Sequence, residues 1–193
     1  MGGTPTLFDR GLARLRLDRA LAAPAQPGSD FLLARAAEDL ADRLAAVLRR
    51  FPVALDAGTP GPHAAAALAA GGQVDTVIRL APTLASAGSG AFCALVGDEE
   101  RLPLADGSLD LAVSVLALQG VNDLPGSLVQ LRRALRPDGL FVGCLLGGAS
   151  LTELRQSLAA AEAEIEGGAS PRVAPFADVR DMGGLLQRAG FAL

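Results

Sequence analysis

The chain contains no lysine, no tryptophan and no tyrosine, and its 193 residues include one histidine and two cysteines. Each shortage excludes a class of chemistry. Without Lys there is no P-loop lysine, no kinase strand lysine and no Schiff base. One His and two Cys exclude HExxH sites, zinc fingers and four-cysteine clusters, so no metal site is expected. Seven Phe are a poor stacking platform, and a net charge of −4 gives no basic surface, so nucleic acid is not an expected partner. Long apolar runs are missing too: no stretch of 18 uncharged apolar residues predicts a membrane span. Arg10, Arg14, Arg16 and Arg19 interrupt the first apolar stretch, which is therefore no secretory signal. Cys93 and Cys144, each inside an apolar run, read as reduced, buried thiols. These features predict a cytoplasmic protein. The Ala- and Arg-rich, Lys-free composition matches a GC-rich bacterial genome.

What is present is a globular balance. Half the residues are hydrophobic and 20% are charged, enough to bury one sizeable core. Residues 1–50 carry eight Arg against six acids and predict a helical N-terminal extension. One helix is expected over Asp9–Leu21. After the turn-rich Pro24–Gly28, a second runs from Ser29 or Asp30 to Arg50, with Leu33, Ala37, Leu40, Leu44 and Val47 at helical spacing. From residue 51 the rhythm changes. Apolar runs at Val53–Ala57, Val74–Leu80, Ala91–Val96, Leu109–Leu118 and Leu140–Leu146 alternate with helical segments near 62–70, 124–136, 150–166 and 178–189. Short uncharged runs alternating with helices predict an α/β fold, a doubly wound parallel sheet over residues 51–193. Its ligand crevice would lie at the C-terminal ends of the strands. There the first strand runs into Asp56-Ala57-Gly58-Thr59-Pro60-Gly61-Pro62, a turn through which backbone can approach a ligand.

A second stretch is more specific. Gly97-Asp98-Glu99-Glu100-Arg101-Leu102-Pro103-Leu104-Ala105-Asp106-Gly107-Ser108-Leu109-Asp110 runs into an apolar strand, and Arg136-Pro137-Asp138-Gly139 follows a helix. This pattern resembles the class I S-adenosylmethionine-dependent methyltransferases, in particular the type 11 group, over residues 53–146. Three further segments narrow the resemblance: Ser150–Arg155, Ser170–Asp181 and Leu185–Phe191. Together with Phe8-Asp9-Arg10 they are similar to bacterial relatives of a mitochondrial respiratory complex I assembly factor, a methyltransferase-fold protein arginine hydroxylase. The malonyl carrier-protein O-methyltransferases of biotin synthesis are a nearby group.

The resemblance implies a Rossmann-like methyltransferase fold and a set of cofactor contacts for S-adenosylmethionine. Asp56, Gly58 and Gly61 fall on the loop that meets the methionine end. Asp98 falls where the family accepts a hydrogen bond from the adenine amino group, with Glu99 beside it; a carboxylate suits that role as an acceptor. Leu116 to Gln119 would border the methyl group. No catalytic residue is assigned, since methyl transfer needs alignment more than acid–base groups.

Three departures accompany these matches. Pro60 and Pro62 stand where the family loop has its second and third glycines, removing two amide donors. No acid occurs between Asp75 and Asp98 to take the ribose hydroxyls at the end of the second strand, within Ile78–Ala81. The chain ends at Leu193, where a sixth strand is expected, which would leave an apolar sheet edge for a partner or a second copy. The resemblance implies a methyltransferase acting on a protein or small-molecule acceptor. Its alternatives are an arginine hydroxylase or a non-catalytic factor in complex I assembly, with a respiratory-complex subunit as partner. Asp110 reads as a strand-end acid or a cofactor contact. His63, the Arg132-Arg133-Arg136 cluster and Glu162, Glu164 and Glu166 read mainly as surface or helix-end groups.

Overall fold

A computed structural model describes residues 6–24, 26–88, 92–168 and 170–193. Helix α1 (Arg10–Ala22) starts at Asp9, whose Oδ1 accepts from the Leu12 amide at 2.8 Å. Helix α2 spans Phe31–Ala45 and turns Ala37, Leu40 and Leu44 into the core. Then follow β1 (Phe51–Ala57), α3 (His63–Ala70), β2 (Val74–Ala81), α4 (Leu84–Ala87), β3 (Cys93–Val96), β4 (Leu109–Val115), α5 (Leu124–Ala134), β5 (Leu135–Cys144), α6 (Thr152–Ile165) and α7 (Val179–Arg188).

The five strands form one parallel sheet in the order β3-β2-β1-β4-β5. The chain winds outward from β1 through β2 to β3, then crosses back to β4 and β5. The direction reverses between β1 and β4, which opens a crevice at their C-terminal ends. β4 is buried along its whole length, because both faces of the sheet are covered. Successive side chains serve opposite layers. Ala54, Leu111 and Val113 pack with Leu40 and Leu44 of α2 and Leu68 of α3. Leu55, Leu80 and Ala112 pack with Leu128 and Leu131 of α5. Among the described residues β5 pairs with β4 alone, and Phe191, beyond α7, sets its ring 5.5 Å from that of Phe141 on β5.

Several element ends differ from the expectations. α2 stops at Ala45, five residues before Arg50, because the chain must turn to bring Phe51 fully into the core. Pro52 is tolerated near the start of β1, where Phe51 still pairs with Val74. β4 ends at Val115, since Leu116 takes a left-handed φ of 52° and Leu118–Gly120 forms a single 3-10 turn. β5 begins at Leu135, before the apolar run at Leu140. Asp138, at φ 64°, allows a bulge between the pairs Leu109↔Leu135 and Leu111↔Leu140. β3 begins at Cys93; Ala91 of the expected run lies outside the described residues. The four-residue α4 was not expected from the sequence; Thr83 and Ser86 build its capping box. Cys93 is exposed on β3, not buried, whereas Cys144 is half-buried. Among the described residues, no helix is long and apolar enough to cross a membrane.

Candidate functional site

A cleft of about 270 Å³ opens at the C-terminal ends of β1 and β4. Its floor is Gly58 and Pro60 after β1; its far wall is Leu116, Ala117, Gln119 and Gly120 after β4. Glu99, after β3, lines one side, and α1 closes the top with Arg10, Ala13, Arg14 and Leu17.

Gly58 sits at φ 76°, and a Cβ there would collide with the Glu99 carboxylate. Glycine is thus needed twice over, for the left-handed turn and for the close approach. Beneath the loop, Asp56 is fully buried. Thr59 Oγ1 donates to Asp56 and accepts from the Val115 amide at 3.2 Å, and Ser114 Oγ donates to the Ala57 carbonyl at 2.8 Å. Arg79, 2% exposed on β2, sets its Nε 3.7 Å from Asp56 Oδ2 and donates to the carbonyls of Thr59 (3.2 Å), Ser86 and Ala87 (3.2 Å). Burial pushes the Asp56 carboxyl up to about 7, although Thr59 and Arg79 pull it back. The same burial lowers Arg79, with Asp56 opposing the shift. The loop that lost amide donors to proline is therefore held from below by a buried Arg–Asp–Thr network.

Above the floor lie two carboxylates and two guanidinium groups. Arg10 Nη2 pairs with Asp98 Oδ1 at 2.9 Å and with Glu99 Oε2, and its Nη1 donates to the Gly120 carbonyl at 3.1 Å. Arg14 Nη2 pairs with Asp98 Oδ2. The Glu99 side chain is 5% exposed and that of Arg10 19%. Burial raises the Asp98 carboxyl, but the Glu100 amide and the two arginines outweigh it and hold it below the ordinary range. The approach to α1 is pinned by Asn122, whose Oδ1 accepts from the Leu7 and Phe8 amides, both at 2.8 Å. Farther along α1, Asp18 accepts from Thr83 Oγ1 at 2.5 Å. Glu100 accepts from the Asn122 and Asp123 amides and so ties the Asp98 loop to the start of α5.

Of the residues expected at a cofactor site, Gly58, Glu99 and Leu116 meet at this cleft, and Asp98 joins them through Arg10. Asp56 lies under the floor, and Gly61 faces His63 and Leu33. Asp110 lies at the opposite, N-terminal end of β4, accepting from the Val53 amide at 2.9 Å and pairing with Arg136 at 2.7 Å. His63 Nε2 meets Asp30 at 2.8 Å. Arg132 donates to Gly190 and Arg133 pairs with Asp106, so this cluster ties structure together. Glu162 accepts from Ser170 and pairs with Arg172. The sequence reading missed Arg10, Arg14 and Arg79. Four-residue spacing puts Arg10 and Arg14 on one helix face, and a charge between Ile78 and Leu80 in an apolar stretch of strand marks Arg79.

The sequence and the fold both have known counterparts. Residues 55–143 match the Methyltransferase domain family. The zebrafish protein Arginine-hydroxylase NDUFAF5, mitochondrial, is 39% identical over 194 residues, covering 96% of this chain and 59% of that protein. Its human counterpart is 38% identical over 201 residues, covering 97% and 56%. A malonyl-acyl-carrier-protein O-methyltransferase of Methylovorus sp. is 33% identical, covering 96% and 64%. The chain thus spans little more than half the length of the arginine hydroxylases it matches. Among solved structures, the 4+2 cyclase SpnF superposes with a TM-score of 0.67 at 14% identity, covering 98% of this chain and 75% of that one. An S-adenosylmethionine-dependent methyltransferase of Mesorhizobium loti gives 0.58 at 21% identity, covering 81% and 82%. These likenesses fix the fold; a cyclase and a methyltransferase on one scaffold leave the reaction to the site.

Proposed function

We propose that this chain, whose residues 55–143 match the Methyltransferase domain family, is an S-adenosylmethionine-dependent enzyme that uses the cleft beneath α1 and acts on a protein or small-molecule acceptor. The observation that carries this reading is convergence: the Gly58 turn, the Asp98–Glu99 pair and Leu116–Gly120 come from three separate loops to one cleft. The fit to the cofactor differs along its length. At the methionine end, the space over Gly58 is taken by the Glu99 carboxylate, and Pro60 offers no amide. At the adenine end, Asp98 is a suitable acceptor once Arg10 and Arg14 release it. At the ribose, β2 presents buried Arg79, Leu80 and Ala81 and no acid. Losing a charged acceptor there costs about 1.5–3 kcal/mol, roughly ten- to a hundred-fold in affinity. When bound, the cofactor would supply an electrophilic methyl group; the chain's part is to orient the acceptor and exclude water.

A second reading is arginine hydroxylation, or a structural role, during assembly of a respiratory complex. It is favoured by relatives named arginine hydroxylases that align with nearly the whole chain, and by the missing ribose acid. Hydroxylation would insert one atom of molecular oxygen into a C–H bond of a partner protein's arginine, and it needs two electrons and two protons from an external reductant to carry the other atom to water; the assembly role requires a stable complex.

Calorimetric titration with S-adenosylmethionine separates these readings. At roughly 50–100 μM protein, a one-to-one micromolar site is expected. Asp98→Asn should weaken it about tenfold or more. A folded protein that gives no heat would remove the methyltransferase reading and leave the second.

A further inference from the structure

We propose that α6 pairs antiparallel with the α6 of a second copy of this chain, through an apolar seam of Leu154, Leu158, Ala161 and Ile165. The contact uses no residue that lines the cleft under α1.

α6 carries an apolar face that the rest of the domain leaves uncovered. The seam residues are spaced four, three and four apart, which is the spacing of the a and d positions of a heptad. Leu154 is 47% exposed and Ile165 78%. Ala161 is exposed and Leu158 half-buried. Among the described residues no other helix or strand packs along α6, and its one buried residue is the charged Glu162. A helix of 14 residues is marginal on its own in water, so α6 gains stability from any partner that covers this face. The seam also holds a recess shaped for such a partner. Leu158, Ala161, Glu162 and Ile165, at positions i, i+3, i+4 and i+7, line a cavity of about 290 Å³ together with Glu166 and Arg172. Four residues in that relation form the hole that receives one side chain of a facing helix.

Two features select a second copy as the occupant and antiparallel as its direction. The first is that the spacing reads the same from either end. In an antiparallel pair Leu154 of one copy meets Ile165 of the other, and Leu158 meets Ala161, so one patch complements itself about a two-fold axis. The small Ala161 leaves room in the hole for the facing Leu158. The second feature is charge. Glu162, Glu164 and Glu166 gather at the C-terminal end of α6, where the helix dipole is negative and the last turn has no basic residue. Arg172 pairs with Glu162 and leaves the other two acids. The N-terminal end has no side-chain cap, and Arg155 lies there beside Glu153. Antiparallel pairing sets the acidic end of each helix beside the positive end of the other, whereas parallel pairing stacks the two acidic ends. Four seam residues make a small contact, so the dimer is a weak one.

The test is sedimentation of the full chain from about 5 to about 500 μM, with a reducing agent present so that the exposed Cys93 forms no cross-link. A monomer–dimer equilibrium with half-association at roughly 100 μM or below is expected. Leu154→Asp and, separately, Ile165→Asp should each weaken association about tenfold or more, because each buries a charge in the seam. Both side chains are exposed in the single chain, so both variants should fold, as circular dichroism verifies. Leu84→Asp, at an exposed leucine of α4, should leave association unchanged. Arg155→Glu should weaken it about twofold or more. A chain that stays monomeric at about 500 μM would overturn the inference and leave the seam to a helix of another protein. A dimer that persists in both seam variants would also overturn it and place the contact elsewhere, as at the outer edge of β5. Unchanged association in Arg155→Glu would overturn the antiparallel direction.

Discussion

Helices α1 and α2 are neighbours in sequence and of similar length, yet they are attached to the protein by different forces. α2 is amphipathic, and Ala37, Leu40 and Leu44 sit in the core against β1, α3 and β4. α1 has almost no apolar stripe: Leu12, Leu15 and Leu21 are exposed, and no residue of the helix is buried. It is held by Arg10, Arg14 and Asp18. Apolar burial is insensitive to salt and lost only on unfolding, whereas partly exposed ion pairs are screened and can open locally. A helix held in this way can open without unfolding the domain beneath it.

The comparison can be broken by paired substitutions. Leu44→Ala removes buried methyl groups between α2 and the sheet and should cost about 2–5 kcal/mol in denaturant unfolding. Leu15→Ala on α1, where the side chain is 47% exposed, should change stability by no more than about 0.5 kcal/mol. Equal losses at the two sites would mean that α1 is integral to the core.

A second test sharpens the contrast between the charge-held cover and the buried floor. Burial raises Asp56 to about 7, so the folded chain holds this proton over a range in which the unfolded chain has released it. Stability from this group is therefore greatest at acid pH, falls as pH rises from about 4 to about 7, and is flat above. The slope from one such group is at most about 1.4 kcal/mol per pH unit. Asp56→Asn should flatten that window in urea unfolding measured from pH 4 to 8. An unchanged slope would show that Asp56 stays ionised beside Arg79.

Much of the fold was legible because its signals are local. The five apolar runs locate the five strands, and alternation with helices gives parallel pairing. The element ends were less legible, since they depend on backbone turns such as the left-handed Leu116 and Asp138. At the site, Gly58, Asp98 and Glu99 stood out from motif positions, but their partners did not. Arg10 meets Glu99 across 89 residues of sequence, and Arg79 reaches Thr59 across 20. Pairings at such separations depend on the assembled sheet, and neither periodicity nor spacing encodes them. The missing β2 acid was visible in the sequence; the buried Arg79 network became visible only with strand register, which sets Asp56 beside Arg79 on adjacent strands.

The most direct test of α1 as a cover held by charge is amide hydrogen exchange of the whole chain at low salt and at about 1 M sodium chloride, where screening acts within roughly 3 Å. Amides of α1 should exchange roughly three- to ten-fold faster at high salt, with those of α2 unchanged. Protection of α1 that is indifferent to salt, or that is lost only together with α2, would contradict the account.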